Sequence, residues 1–139
     1  MVVQNKETEK NCCFYVSDFH LEMILVPYIN KKIEKEISIL TQNNLKESLE
    51  ILISKMNLNE ENKQKILSLG WNNEEKIKEN SNFIIIGSKK YIEEKNREIK
   101  NLKAESVLDC YNFEEEQNNI NEIIKQYNCS LNTLGNNNF

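Results

Sequence analysis

The chain has 139 residues, a length that is enough for one domain and too little for two. Its formal net charge is −4. Charged residues make up 29% and hydrophobic residues 39%, so a packed core is expected and general disorder is excluded. Of the 18 basic residues, 17 are lysine, and they form no continuous stripe along the sequence. This distribution argues against a dedicated nucleic-acid surface.

The sequence predicts a cytoplasmic protein with free thiols. No segment approaches the roughly 18 uninterrupted apolar residues that a membrane helix needs, and residues 1–11 lack the apolar core of a secretory signal. The four cysteines, Cys12, Cys13, Cys110 and Cys129, do not have the paired spacing of a zinc site, and the single histidine does not complete a mixed set. We therefore expect no membrane contact, no metal and no cofactor.

The first predicted elements are a strand and a helix. The apolar run of residues 12–16 indicates a buried strand, and the polar pair Ser17 and Asp18 follows it. Apolar residues then recur at helical spacing as far as about residue 34. Either polar residue can cap this helix, and we expect Asp18 to do so while bordering the end of the strand. Pro27 lies inside the pattern and predicts a kink or a division.

A second strand and two further helices are predicted next. Residues 36–40 read as the strand, and two amphipathic helices follow over residues 45–56 and 58–69. Gly70 stands where a left-handed helix cap is favoured. The segment Trp71–Ser81 is polar and rich in Asn and Glu, so it is interpreted as a surface connection with one helical turn at most.

The second half of the chain predicts two more buried strands and the helices between them. Phe83–Ile86 is the clearest strand, because it is continuous, apolar and β-branched. Ser88 caps the helix that follows, and Ser106–Tyr111 forms the next strand. Asn112 and Glu115 then have the spacing of a capping box at the start of the next helix, and Cys129–Leu134 adds a short strand at an edge.

This order of elements predicts a three-layer α/β/α domain with a mostly parallel sheet of four or five strands, RecA-like or flavodoxin-like. Residues 1–10 are interpreted as a polar N-terminal tail, residues 11–134 as a single domain and residues 135–139 as a C-terminal tail. Strands that alternate with helices favour parallel pairing, and unbroken apolar runs are typical of strands that are covered on both faces.

Ligands of such sheets bind beyond the carboxyl ends of the strands, which predicts a rim of polar residues as the site. The candidate ligand-binding residues on this rim are Ser17, Asp18, Thr41, Gly87, Ser88 and Tyr111. With only three glycines in the chain, neither a Walker A loop nor a dinucleotide fingerprint can be formed. Nucleotide binding through a standard glycine-rich loop is therefore disfavoured.

A thiol enzyme is the alternative chemistry that the sequence leaves open. Cys110 ends a predicted strand and could act as a nucleophile if an imidazole came within reach. His20 is the single histidine, but nothing in the sequence directs it toward Cys110. A buried structural role for Cys110 is the simpler interpretation, because free cysteines behave as small core residues.

Several segments resemble a known sensory family. Phe14–Asp18 and Leu25–Ile29 resemble the opening of the methanogen/methylotroph sensory domain (MEDS) of dichloromethane-repressor-type regulators. Tyr91–Ile99 is similar to the acidic helix of that family, and Val107–Phe113 is similar to its last core strand. The resemblance implies a degenerate RecA/KaiC-like domain without a working P-loop, used as a sensor and not as an ATPase.

The leading functional hypothesis is a non-catalytic sensory or regulatory domain that binds a small ligand or a protein partner. Such a chain has no room for a further output module, so its signal would pass through association, and homo-oligomerisation stays open. Two alternatives remain at this point. One is a small cytoplasmic enzyme that uses the Cys110 thiol or the Ser17 and Asp18 pair, and the other is a purely structural interaction protein.

Overall fold

The computed structural model describes residues 8–72 and 76–132 with their side chains, and residues 135–138 by their backbone. Within these residues, strands and helices alternate in the predicted order. The strands are β1 (Glu9–Tyr15), β2 (Ile37–Thr41), β3 (Asn82–Ile86), β4 (Ser106–Asn112), β5 (Cys129–Asn132) and β6 (Gly135–Asn138). The helices are α1 (Asp18–Lys31), α2 (Lys46–Lys55), α3 (Glu60–Leu67), α4 (Lys89–Ile99), α5 (Phe113–Glu116) and α6 (Ile120–Ile124).

The strands form one sheet in the order β2-β3-β4-β1-β5-β6. The first five are parallel to one another, and β6 pairs antiparallel with β5. The predicted α/β class with a mostly parallel sheet is confirmed. The order 2-3-4-1-5 of the parallel strands differs from the flavodoxin order 2-1-3-4-5.

Helices cover both faces of the sheet. Helices α1, α2 and α3 pack on what we call the first face, and α4 and α6 pack on the second face. Because successive strand residues point to opposite faces, β4 directs Leu108 and Cys110 to the first face. Its Val107 and Tyr111 join the core of the second face, and Asp109, between Leu108 and Cys110, points the same way.

One crossover connection has the opposite hand to the others. The chain runs from β1 to β2 with its helix on the first face, and returns from β3 through β4 to β5 with its helices on the second face. The β2–β3 connection moves across the sheet in the same direction as the β3–β4 connection, but its helices α2 and α3 lie on the opposite face from α4. Its hand is therefore opposite to that of the other crossovers, which is uncommon. The first face thus carries three helices of eight to 14 residues, whereas the second carries α4 and the five-residue helix α6. The second face is the more thinly covered one.

Helix α1 is not divided at Pro27, contrary to one of the two expected outcomes. Proline lacks the N–H that would bond the carbonyl of Met23, one turn earlier. Pro27 is exposed, so water can reach that carbonyl, while the residues on either side of it are buried in the core. The apolar face of α1 therefore keeps the helix together through the proline.

The sheet extends further at both ends than the sequence predicted. Strand β1 begins at Glu9, inside the segment interpreted as a polar tail, and β6 occupies most of the predicted C-terminal tail. The last predicted strand ends at Asn132 and lies between β1 and β6, so it is not at the edge. The helix expected after Asn112 is two short helices, although Asn112 caps the first of them as predicted.

Trp71 is a core residue, which corrects its assignment to a surface connection. Its side chain is 1% exposed, and its Nε1–H donates to the Ile66 carbonyl at 2.6 Å. Gly70, just before it, has a φ of 94°, the left-handed geometry that the sequence predicted there. Residues 73–75 of that segment lie outside the described residues. The turn after α3 therefore folds back to place the indole in the core of the first face.

No helix in the part of the chain that the structure describes is long and apolar enough to cross a membrane.

Candidate functional site

The predicted rim exists at one end of the sheet, but the hydroxyl groups on it bond to nearby backbone groups, two of them at helix starts. Ser17 Oγ accepts from the His20 backbone N–H at 3.1 Å and caps α1. Ser88 Oγ accepts from the Tyr91 backbone N–H at 3.2 Å and caps α4, as predicted. Thr41 is buried, and its hydroxyl donates to the Asn43 carbonyl at 2.8 Å. These hydroxyls therefore serve the local backbone.

Gly87 lies where a ligand could approach the first turn of α4, but a side chain of the protein fills that space. Gln42 Oε1 accepts from the Ser88 backbone N–H at 2.7 Å. A Cβ on Gly87 would stand 2.5 Å from the same oxygen and 2.6 Å from Tyr91 Cδ1. The glycine is required by this close approach, and the Gln42 amide already satisfies one of the helix N–H groups that an anion would use.

Asp18 does not cap α1, which corrects the sequence prediction. The cap is Ser17, whose backbone is extended, and Asp18 is the first residue of the helix. The Asp18 side chain is exposed at the edge of the rim. Its carboxylate therefore interacts with the helix dipole and does not accept the capping hydrogen bond.

Exchanging these two side chains for alanine separates the roles. Ser17→Ala is expected to lower the free energy of unfolding by about 1 kcal/mol, because the His20 N–H loses its acceptor. Asp18→Ala is expected to cost about 0.3 kcal/mol, the dipole interaction of an exposed carboxylate. Urea denaturation monitored by circular dichroism measures both. A larger loss for Asp18→Ala than for Ser17→Ala would contradict this placement of the helix start.

Tyr111 lies on the second face of the sheet, away from the other rim candidates. Its ring stacks on Phe14 of the neighbouring strand, with 5.6 Å between the ring centroids. Its hydroxyl hydrogen-bonds to the Tyr127 hydroxyl, which comes from the segment after α6. Of the six residues predicted for the rim, Tyr111 is the one that lines the cleft described next.

A cleft of about 200 Å³ opens on the second face between α4 and the α6 segment. Strands β4 and β1 form its floor, which is the place where helix cover is thin. Most of its lining is polar or charged, with both signs of charge present. The residues from α4 are Lys89, Ile92, Glu93, Asn96 and Arg97, those from the strands are Lys10, Asp109 and Tyr111, and those from the α6 segment are Ile123, Gln126 and Tyr127.

Asp109 lies at the floor of this cleft and is fully buried. The Tyr127 hydroxyl donates to its carboxylate at 2.6 Å, and Asn96 Nδ2 lies 3.1 and 3.2 Å from its two oxygens. Lys10 Nζ approaches the same carboxylate at 3.6 Å. That ammonium also donates to Asn96 Oδ1 at 2.7 Å. Residues from strand β1, helix α4 and the segment after α6 therefore contact a single carboxylate. We call Lys10, Asn96, Asp109 and Tyr127 together the Asp109 cluster.

Burial has the largest effect on the pKa values of Asp109 and Tyr127 in this cluster. Loss of hydration raises the pKa of Asp109 above its usual range, while Lys10 and the hydrogen bonds from Tyr127 and Asn96 act in the opposite direction. The pKa of Tyr127 is raised as well, first by burial and then by the negative charge of Asp109. The phenol therefore stays protonated and donates. The buried carboxyl of Asp109 therefore holds a proton more tightly than an exposed aspartate does.

Sequence analysis predicted none of the four residues of this cluster as a site residue, and Asn96 and Asp109 entered it only within segments of the family resemblance. The available signal was a single acidic residue inside an apolar strand, at a position that strand alternation places on a covered face. Lys10 was assigned to a tail, and Asn96 and Tyr127 belong to segments whose apolar residues drew attention. A buried carboxylate requires partners, but one sequence does not say which residues supply them.

Cys110 is poorly placed for the thiol chemistry that was considered. It is fully buried on the first face, opposite to the cleft, and pairs in register with Cys13. Burial raises its thiol pKa well above the ordinary value. His20 Nδ1 instead accepts from the Val16 backbone N–H at 3.0 Å, within the first turn of α1. This geometry favours the structural interpretation of Cys110.

All four cysteines should therefore resist thiol reagents in the folded protein. Each is buried, and burial raises the pKa of Cys12 to about 12 and that of Cys129 above the usual range. We expect reaction with 5,5′-dithiobis(2-nitrobenzoate) at neutral pH to be at least 100-fold slower in buffer than in guanidinium chloride, since the thiolate is the reactive form. One fast equivalent in native buffer would show an accessible, activated thiol and restore the enzyme alternative.

Among the described residues, no group of three or more His, Cys, Asp or Glu side chains is placed to hold a metal ion. Comparisons with protein-family models, with curated proteins and with solved structures find no match to this chain.

Proposed function

We propose that this protein is a non-catalytic sensory or regulatory domain of the cytoplasm that binds a small polar ligand in the cleft above the Asp109 cluster. The observation that carries the proposal is a fully buried carboxylate at the floor of an open cleft, contacted by residues from three separate elements. A ligand that changes any one of these contacts changes how the elements are held together. Its signal would then pass to another protein by association.

The lining of the cleft indicates the class of ligand. Lys89 and Arg97 offer positive charge from α4, Glu93 offers negative charge from the same helix, and Gln126 faces them from the α6 segment. A molecule that carries both hydrogen-bond donors and acceptors, such as an amino-acid-sized zwitterion, fits this mixed lining. The volume of about 200 Å³ is below the roughly 300–1,000 Å³ of pockets for drug-sized ligands, so the ligand is small.

The start of α1 supports a sensor more than an ATPase. Only Val16 and Ser17 separate β1 from α1, which leaves no loop to surround a phosphate group. The Val16 N–H is bonded to His20, and the His20 N–H is bonded to Ser17. These features agree with the degenerate RecA-like domain that the resemblance implies.

The test is a thermal-shift screen with the 20 common amino acids and a panel of small organic acids and polyols. Gln126→Trp places a large ring in the cleft from an exposed position, and Lys125→Trp is the matched control on the adjacent exposed residue, which does not line the cleft. We expect at least one compound to raise the melting temperature of the wild type and of Lys125→Trp, but not that of Gln126→Trp. If no compound acts, or if Gln126→Trp responds like the wild type, the proposal fails and a purely structural role is favoured.

A further inference from the structure

Three large apolar side chains are exposed at one end of two neighbouring strands. Val16 is 65% exposed, Phe19 is 63% exposed and Phe113 is 41% exposed. Val16 and Phe113 directly follow Tyr15 and Asn112, which are paired in the register of β1 and β4. Phe19 lies in the first turn of α1, three residues after Val16. Paired strands are about 5 Å apart, so these side chains lie at the same end of the sheet. We call Val16, Phe19 and Phe113 the apolar rim patch.

Negative charge surrounds this patch. Asp18 lies beside Phe19, and Glu114 and Glu115 follow Phe113, all three with exposed side chains. None of the three forms an ion pair with another described residue. The lysines that follow the neighbouring strands at this end, Lys46 after β2 and Lys89 and Lys90 after β3, lie on the other side of β4 from β1. The patch therefore combines exposed apolar area with exposed acidic groups that form no ion pair within the described part of the chain.

We propose that the apolar rim patch docks a segment of another protein that is both apolar and basic, such as an amphipathic helix with lysine or arginine beside its apolar face. Exposed apolar clusters on a single chain mark interaction sites, and the acidic border selects the charge of the partner. A second copy of this chain does not fit, because it would bring like charges together. An anionic lipid surface is repelled for the same reason.

The position of the patch connects it to the cleft and extends the proposed function. A signalling role for the patch rests on that proposed function, whereas docking of a partner does not. Phe113 is two residues beyond Tyr111, which lines the cleft, and Phe14, two residues before Val16, stacks on Tyr111. Strands β1 and β4 thus carry the cleft on one face and the patch at their ends. Partner binding itself requires no ligand and can be measured separately.

The experiment uses the full chain and two synthetic peptides. One is a fluorescein-labelled amphipathic 14-residue peptide of leucine and lysine, and the other has glutamate in place of lysine. Fluorescence anisotropy measures affinity, and backbone amide shifts locate the contact. We expect the lysine peptide to bind and the glutamate peptide not to bind, with shifts confined to the ends of β1 and β4 and the first turns of α1 and α5. The double variant Phe19→Ser/Phe113→Ser should bind the lysine peptide at least about tenfold more weakly, as expected for apolar anchors.

Matched variants control for fold and for non-specific charge. Ile51→Ser removes a side chain that is 59% exposed on α2, and we expect it to bind like the wild type. Glu114→Lys/Glu115→Lys should weaken binding, whereas Glu50→Lys, an exposed site on α2, should change it little. Circular dichroism melting checks that each variant folds.

Three outcomes overturn the docking proposal: unchanged binding by the Phe19/Phe113 variant, an equal loss in Ile51→Ser, or a dimer in sedimentation that the Phe19/Phe113 variant abolishes. The last would make a second copy the occupant. Gln126→Trp, which fills the cleft, should bind the lysine peptide normally. The peptide result and the ligand screen can therefore fail independently of each other.

Discussion

Trp71→Ala is expected to lower the free energy of unfolding by about 3–5 kcal/mol, the range for deleting a fully buried large aromatic side chain. Trp71 is 1% exposed, and its indole N–H donates to the Ile66 carbonyl near the end of α3. Its own carbonyl accepts from the Leu45 N–H at 3.0 Å, next to the start of α2. The residue therefore joins the two helices of the β2–β3 connection. Urea denaturation followed by circular dichroism measures the loss.

Trp71→Phe is the informative companion variant. Phenylalanine keeps most of the apolar volume but leaves the Ile66 carbonyl without its donor, so we expect a loss of about 1–2 kcal/mol. Ile77→Ala is the control, since that side chain is 41% exposed and belongs to the same polar segment. A loss below 1 kcal/mol for Trp71→Ala would mean that the indole is not part of the core and that the surface interpretation was correct.

Sequence patterns predicted an element of this fold correctly where apolar residues fill a whole segment. β3 is a run of four large apolar residues that is buried throughout, and its strand was the clearest in the chain. Trp71 was missed for the opposite reason, because it is a single apolar residue before a long polar stretch. Its burial depends on Gly70 turning the chain back toward the core, which local polarity does not reveal.

The rim was predicted from the general rule for parallel sheets, and the rule placed the residues at the correct edge without saying what they bond to. Gln42 satisfies the N–H group of Ser88 at the start of α4, and Ser17 and Ser88 cap helices. The cleft lies on the second face instead, because α2 and α3 pack on the first. That choice of face depends on the hand of one crossover, which no local pattern encodes.

The Asp109 cluster could not be assembled from the sequence because its members are distant along the chain. Lys10 and Asp109 are brought together by the pairing of β1 with β4, and Tyr127 arrives only after the chain has crossed β1. Alternation along β4 was sufficient to indicate that Asp109 is covered. Naming its partners required the order of the strands.

Removing the Asp109 carboxylate is expected to cost about 3 kcal/mol at neutral pH. Asp109→Ala removes the acceptor of the Tyr127 hydroxyl and one of the two acceptors of Asn96 Nδ2, which keeps its hydrogen bond to the Ile92 carbonyl. It also removes the acidic partner of Lys10, whose side chain is 32% exposed and can turn partly to water, so the loss stays at the low end of values for buried ion pairs. Asp18→Ala serves as the exposed control, and urea denaturation measures the difference. A loss below 1 kcal/mol would show that the cluster contributes little to the fold.

The pH dependence of Asp109→Asn tests the protonation of the same carboxylate. Burial raises the native pKa of Asp109 above its ordinary value of 3.8, so the folded state holds the proton more tightly than the unfolded state. The part of the stability that depends on this proton is therefore fully present below pH 3.8 and is lost as the pH rises through the native pKa, whereas the hydrogen bonds that the carboxylate accepts remain at neutral pH. Asparagine does not titrate, so the stability of the wild type relative to Asp109→Asn should fall as the pH rises above about 4. Burial also raises the pKa of Glu22, but that group is common to both proteins and cancels in the difference. Urea denaturation of both proteins across this pH range gives the difference. A difference that rises with pH would mean that Lys10, Asn96 and Tyr127 outweigh burial and hold the native pKa of Asp109 below its ordinary value.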